Sequence, residues 1–210
     1  MTGTLEPAVA PDRPVPPAPV SFEAFLAWAD EDTWAEWVDG EILLISPASL
    51  DHQRLSAFLL VITSLYVESR QLGEIFGAGY LMRLSMRTSG RLPDLLFVSS
   101  EHLERVRPMY LDGPADLVVE IVSPESDDRD RGEKFFEYEA AGIPEYWLID
   151  AVRQEAWCFQ LGTDARYHPG PIEADGTYHS TLLPGFWLRV AWLWQRPLPP
   201  VAEVTGLLVR

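Results

Sequence analysis

Three short stretches carry the residue types that hydrolytic chemistry needs. They are Pro93-Asp94-Leu95-Leu96-Phe97-Val98, Asp116-Leu117-Val118-Val119-Glu120-Ile121-Val122 and Asp130-Arg131-Gly132-Glu133-Lys134-Phe135-Phe136-Glu137-Tyr138. The first two read as buried strands, with Asp94 heading one apolar run and Glu120 inside the other. A buried, unpaired charge costs several kcal/mol, so each strand needs something to compensate its carboxylate. Lys134 is the candidate: it is the single lysine of a chain that carries fifteen arginines. Two carboxylates and one lysine are the minimal set for metal-dependent phosphodiester hydrolysis.

Local geometry favours their meeting. Residues two apart on a strand share a face, so Glu120 and Val122 point one way and Ile121 the other. On a helix, Asp130, Lys134 and Tyr138 recur at four-residue spacing and form one stripe. If that helix folds back after the Ser123-Pro124 turn, the stripe faces Glu120.

The elements that must position these groups are legible in outline. Six prolines between residues 7 and 19 predict an extended N-terminal arm over residues 1–20, ahead of one domain spanning 21–196 and a C-terminal tail at 197–210. Ser21 caps a short helix to about Asp30, with Phe22, Phe25 and Leu26 inward. Asp39-Gly40 between two apolar stretches predicts a β-hairpin, because both turn positions accept positive φ. Leu55, Leu59, Ile62, Leu65 and Tyr66 predict a long amphipathic helix over 49–71, stopped by Gly73. Strands are expected at 74–80, 81–87, after Pro93, after Asp116, at 145–150 and 155–160, with weaker ones near 166, 178 and 186–193. The helix over 128–141 closes at Gly142, with Pro144 beyond. This order predicts an α/β fold of the α+β mixed-sheet kind, with the hairpin added at its N-terminal side.

Composition narrows the function classes. A 210-residue chain that is 47% apolar, with eight Trp, nine Phe and seven Tyr, has enough apolar surface for a sizeable core. No apolar run approaches the roughly 18 residues of a membrane span. Met1–Glu6 shows no basic segment leading into an apolar one, and Cys158 is alone, so a cytoplasmic chain without an intrachain disulfide is expected. The net charge of −16 argues against tight, non-specific nucleic-acid binding, which draws on a basic footprint. It is compatible with a metal site, which needs acidic oxygens.

The ordered set of motifs resembles the PD-(D/E)xK nuclease superfamily. The closer resemblance is to a branch of restriction-endonuclease-like proteins long listed as a domain of unknown function. The matching stretches are Glu36-Trp37-Val38-Asp39-Gly40-Glu41, Ser46-Pro47 with His52, Pro93-Asp94, Leu117 to Pro124 around Glu120, Asp130 with Lys134 and Tyr138, Gly142 to Asp150, and Leu183-Pro184-Gly185-Phe186. Most of the superfamily has a lysine two residues after the glutamate. Val122 stands there, and the lysine has moved into the following helix. The resemblance implies Asp94, Glu120 and Lys134 as catalytic residues of a restriction-endonuclease-like core. It implies Mg²⁺ or Mn²⁺ held by Asp94, Glu120 and the carbonyl of Ile121, with Asp130 and Tyr138 supporting Lys134. It also implies DNA as the substrate.

Each residue has a plainer reading. Lys134 could pair with Asp130 and Glu137 on an exposed helix face, Asp94 could cap the entry to its strand, and only Glu120 lacks an obvious structural use. His52 and Glu36 could be further members of the site; more plainly, His52 could be a capping or hydrogen-bonding residue and Glu36 a hairpin or interface residue. Arg83, Arg87 and Arg91 could contact phosphates, although solvated strand positions are the commoner outcome. Trp187, Trp192 and Trp194 could form a homodimer face. The acidic surface keeps a second function alive, a nuclease-like scaffold that binds a protein partner without cutting. A carboxylate pair acting on a glycoside is a third, and a lysine close to both carboxylates disfavours it.

Overall fold

A computed structural model describes residues 14–30, 32–84, 88–123, 126–127 and 129–209; Arg87, Pro124 and the first part of the proline-rich arm fall outside these. Its helices are α1 (Phe22–Trp28), α2 (Leu50–Arg70), α3 (Lys134–Ala141) and α4 (Val201–Leu208). The strands are β1 (Ala35–Val38), β2 (Glu41–Leu44), β3 (Gly73–Gly77), β4 (Leu81–Leu84), β5 (Ser89–Arg91), β6 (Leu95–Ser99), β7 (Tyr110–Asp112), β8 (Leu117–Ile121), β9 (Glu145–Asp150), β10 (Glu155–Leu161), β11 (Tyr167–Pro169), β12 (Thr177–His179) and β13 (Trp187–Arg189).

Six strands make the central sheet, in the order β11-β10-β9-β8-β6-β3. All its neighbours are antiparallel except β8 and β9, which run parallel. Strand alternation then sorts its side chains. Leu95, Phe97, Leu117, Val119 and Ile121 join Leu55, Phe58, Leu59, Ile62 and Tyr66 of α2 in one apolar cluster. Leu96, Val98, Val118 and Val122 point the other way, into a second cluster with Tyr138 of α3 and with Met82, Leu84 and Leu111. Glu120 has the parity of this second face.

The hairpin is present as read, with Asp39 at φ 49° and Gly40 at φ 86° joining β1 to β2. It is not an isolated addition. β1 pairs with β5, giving a second sheet in the order β2-β1-β5-β4-β7. Strands β5 and β7 are three residues each, too short for an alternation pattern to reveal. The long helix begins as read, its Ser49 hydroxyl accepting from the His52 N–H at 3.3 Å. It ends on Gln71 in the left-handed region at φ 55°, not on Gly73. Gly73 instead lets β3 approach β6, since a Cβ there would stand 2.1 Å from the Val98 carbonyl oxygen.

Two further segments differ from the sequence reading. Before α3, Arg129–Glu133 form a π-helical turn rather than regular α-helix. Beyond the proline break, α4 packs on the α2 cluster through Val204 and Leu208. Trp192 is buried, and Trp187 and Trp194 are partly buried against the same cluster.

Candidate active site

Strands β6 and β8 pair antiparallel with Leu95 opposite Val119. One step further along that register, Asp94 comes opposite Glu120, and facing residues of an antiparallel pair share a side of the sheet. Asp94 is tied there by its own carboxylate, since Oδ2 accepts the Ile121 N–H at 2.7 Å. His52, in the first turn of α2, brings Nε2 to 3.1 Å from Asp94 Oδ1 and 3.2 Å from Oδ2. Burial opposes a charge on this imidazole, but the hydrogen bond and charge of Asp94 outweigh it and lift the His52 pKa.

Lys134, at the start of α3, reaches three carboxylates. Its ammonium stands 3.0 Å from Glu120 Oε1, 3.1 Å from Glu36 Oε1 and 3.3 Å from Asp130 Oδ1. The three acids come from β8, β1 and the π turn, so the lysine joins the two sheets through the helix start. Its side chain is 7% exposed, which excludes the exposed-pair reading. Tyr138, one helical turn on, donates to Glu120 Oε1 at 2.7 Å. The stripe expected from the sequence therefore does face Glu120, although Tyr138 meets Lys134 only through that glutamate. Asp130 is fixed by its backbone: its N–H reaches the Ser126 carbonyl at 2.8 Å, and its carbonyl accepts from the buried Tyr146 hydroxyl at 3.0 Å.

Charge is unevenly compensated across the cluster. Burial works against the Lys134 ammonium, but Glu120, Glu36 and Asp130 together hold its pKa above the ordinary value, so it stays charged. Burial likewise penalises ionised Glu36, yet Lys134 and Arg91 pull its pKa down. For Glu120 burial prevails: against the pull of Lys134, it and the nearby Asp130, Asp94 and Glu36 push the pKa well up. Asp130 moves up for the same leading reason. The surroundings thus oppose a charge on Glu120 and Asp130 and favour one on Glu36.

Arg91 does not reach solvent. It is fully buried, with NH1 2.9 Å from Glu36 Oε2 and with Nε and NH2 2.9 and 2.6 Å from the two oxygens of Glu137. A phosphate contact by this residue is therefore ruled out in this arrangement. Arg83 lies 4.4 Å over the Phe22 ring, and Arg87 is outside the described residues. The Arg91 network left no local trace in the sequence, because its partners lie 46 and 55 residues away. The one available hint was a charged residue directly ahead of Leu92-Pro93.

The oxygen set fits a hard divalent cation. Neither described hydrogen bond to Glu120 uses Oε2. Among the described residues no group of three or more His, Cys, Asp or Glu forms a ready-made metal cage. Mg²⁺ and Mn²⁺ suit such a sparse set, because Mg²⁺ keeps several waters and takes only one or two carboxylates.

Comparison with known proteins bears on the family and the fold. No curated protein matches the sequence. A crystal structure described as "a putative nuclease belonging to DUF820" from Anabaena variabilis ATCC 29413 is similar in fold, with a TM-score of 0.68 at 15% identity, over 84% of this chain and 98% of that one. The model of the Uma2 family, whose description is "Putative restriction endonuclease", matches residues 22–191. The chain belongs to the Uma2 family, with the restriction-endonuclease-like core of the PD-(D/E)xK superfamily.

Proposed function

We propose that this protein is a divalent-metal-dependent nuclease that hydrolyses phosphodiester bonds in DNA. The observation that carries the reading is the chain's single lysine, on α3, buried among Glu36, Asp130 and Glu120, the last on the strand beside Asp94. Asp94, Glu120 and the Ile121 carbonyl would hold Mg²⁺ or Mn²⁺. When bound, the ion supplies an activated water and counter-charge for the phosphate. The protein's own groups do the rest. His52 and the Ile121 N–H fix the Asp94 carboxylate. Tyr138 fixes Glu120. Lys134 offers a compact, permanently charged donor to the negative charge that builds on the phosphoryl oxygens. The lone, buried Cys158 suits a reducing cytoplasm, and a homodimer would set two such sites against the two strands of a duplex.

The net charge of −16 favours a second reading, a scaffold that binds a protein partner and does not cut. One experiment separates them. The full chain is incubated with supercoiled plasmid and with short single-stranded DNA, with Mn²⁺ or with chelator, beside Glu120→Gln and Asp94→Asn. Metal-dependent cleavage that falls by about 10²-fold or more in both variants supports the nuclease. A parent protein that leaves both substrates intact and binds no Mn²⁺ supports the scaffold.

A further inference from the structure

Two partners of the lysine, Asp130 and Glu36, have no part in the proposed chemistry. Glu36 takes no part in holding metal, yet its carboxylate is fully buried and every contact it makes is specific. Oε1 accepts from Lys134 Nζ at 3.1 Å and from the Leu92 N–H at 3.1 Å, while Oε2 accepts from Arg91 NH1 at 2.9 Å. Arg91 is the one buried arginine among those described. Its other face closes a two-pronged pair with Glu137, which the Ser89 hydroxyl joins at 3.1 Å. Glu137 sits on α3, three residues after Lys134. A single guanidinium therefore grips both the counter-ion of Lys134 and the helix that carries it.

We propose that Arg91 is the positioning residue for Lys134, fixing the ammonium through Glu36 and its helix through Glu137. The proposal deepens the nuclease reading and rests on it for its purpose. A lysine side chain has four rotatable bonds and rotates freely unless several acceptors define one position. Glu120 alone is a poor anchor, because the same carboxylate is the one required to bind metal. Glu36 has no competing duty and keeps its contact whatever Glu120 does. The planar fork of arginine suits the task, since it spans two carboxylates at once in fixed geometry.

Lys134 being the only lysine allows a direct test without metal or DNA. Full-length protein labelled with ¹⁵N-lysine gives one side-chain ammonium signal. Its exchange with water is measured in the parent, Arg91→Met, Glu36→Gln and Glu120→Gln, with the amide fingerprint reporting the fold. The expected result is a slowly exchanging signal in the parent and in Glu120→Gln. Exchange should quicken about tenfold or more, or the signal should vanish, in Arg91→Met and Glu36→Gln. A mere brace between the sheets would lower stability in those variants and leave the ammonium protected, and that outcome overturns the proposal. So does loss of the signal in Glu120→Gln alone. Should Arg91→Met fail to fold, Glu36→Gln keeps the side-chain shape but sets an amide NH₂ against the Arg91 donor and removes the charge facing Lys134, and it decides the matter. Failure of the parent to cut DNA would be scored separately and would not alter this readout.

Discussion

Tyr138 and Lys134 meet on one oxygen, the Oε1 of Glu120, at 2.7 and 3.0 Å. Burial first, and then the neighbouring Glu120, keep the Tyr138 pKa well above its usual value, so the phenol remains a donor. Tyr138→Phe should therefore strip a hydrogen bond from a buried acceptor, with a loss of about 1–3 kcal/mol in urea unfolding. Unchanged stability would mean that the phenol and the carboxylate are not bonded in solution.

The pH dependence of stability should separate Glu120 from Glu36. The folded pKa of Glu120 lies above its ordinary 4.5, so the native state binds the extra proton. Its contribution is favourable below that value and is lost as pH rises through the folded pKa. Glu36 has the opposite sign: its pKa is depressed, so its contribution is present above 4.5 and lost as pH falls through the folded value. Glu120→Gln should thus flatten the decline of stability above pH 4.5, with a difference in slope of up to about 1.4 kcal/mol per pH unit. Glu36→Gln should cost stability at neutral pH. Parallel stability curves for the parent and Glu120→Gln would refute the charge assignment.

Added metal should act on the same carboxylate. An ion that binds only the folded protein stabilises it by mass action, about 2.7 kcal/mol at one hundred times its Kd. Millimolar Mg²⁺ or Mn²⁺ should raise the melting temperature of the parent, and Asp94→Asn or Glu120→Gln should abolish the rise. Identical melting curves with metal and with chelator would contradict a site built on Asp94 and Glu120.

What the sequence disclosed depended on how local each signal was. Glu120 stood out because Leu117 to Val122 is otherwise apolar, and Lys134 because arginine serves everywhere else. Helix α2 and the Asp39-Gly40 hairpin were legible from spacing and turn chemistry alone. Helix α4 was not, because Val201 to Leu208 is short and includes Val204, Thr205 and Gly206, which are weak helix formers. Its stability comes from packing on α2, which no local pattern records. The bond from His52 to Asp94 and the bonds from Arg91 to Glu36 and Glu137 span 42 to 55 residues, so only the folded chain brings them together.

Lys134 carries the most exposed prediction. Removing it leaves Glu36, Glu120 and Asp130 buried around an empty centre, and breaking a buried ion pair from one side costs about 3–5 kcal/mol. Lys134→Ala should therefore be strongly destabilised at neutral pH and should recover part of that loss on acidification, as the carboxylates take up protons. Mn²⁺ should restore part of it too, by supplying positive charge. Lys134→Arg keeps the charge but asks a wide, planar group to fill the place of a compact ammonium about 3 Å from three acids. It should fold better than the alanine variant yet cut DNA about 10²-fold more slowly than the parent, the range for losing one preorganised donor. Comparing unfolding curves and Mn²⁺-dependent plasmid cleavage for the three proteins is sufficient. If Lys134→Arg cuts as fast as the parent, the ammonium's geometry is irrelevant and its catalytic assignment fails. If Lys134→Ala melts with the parent at neutral pH, the buried cluster itself is not as described.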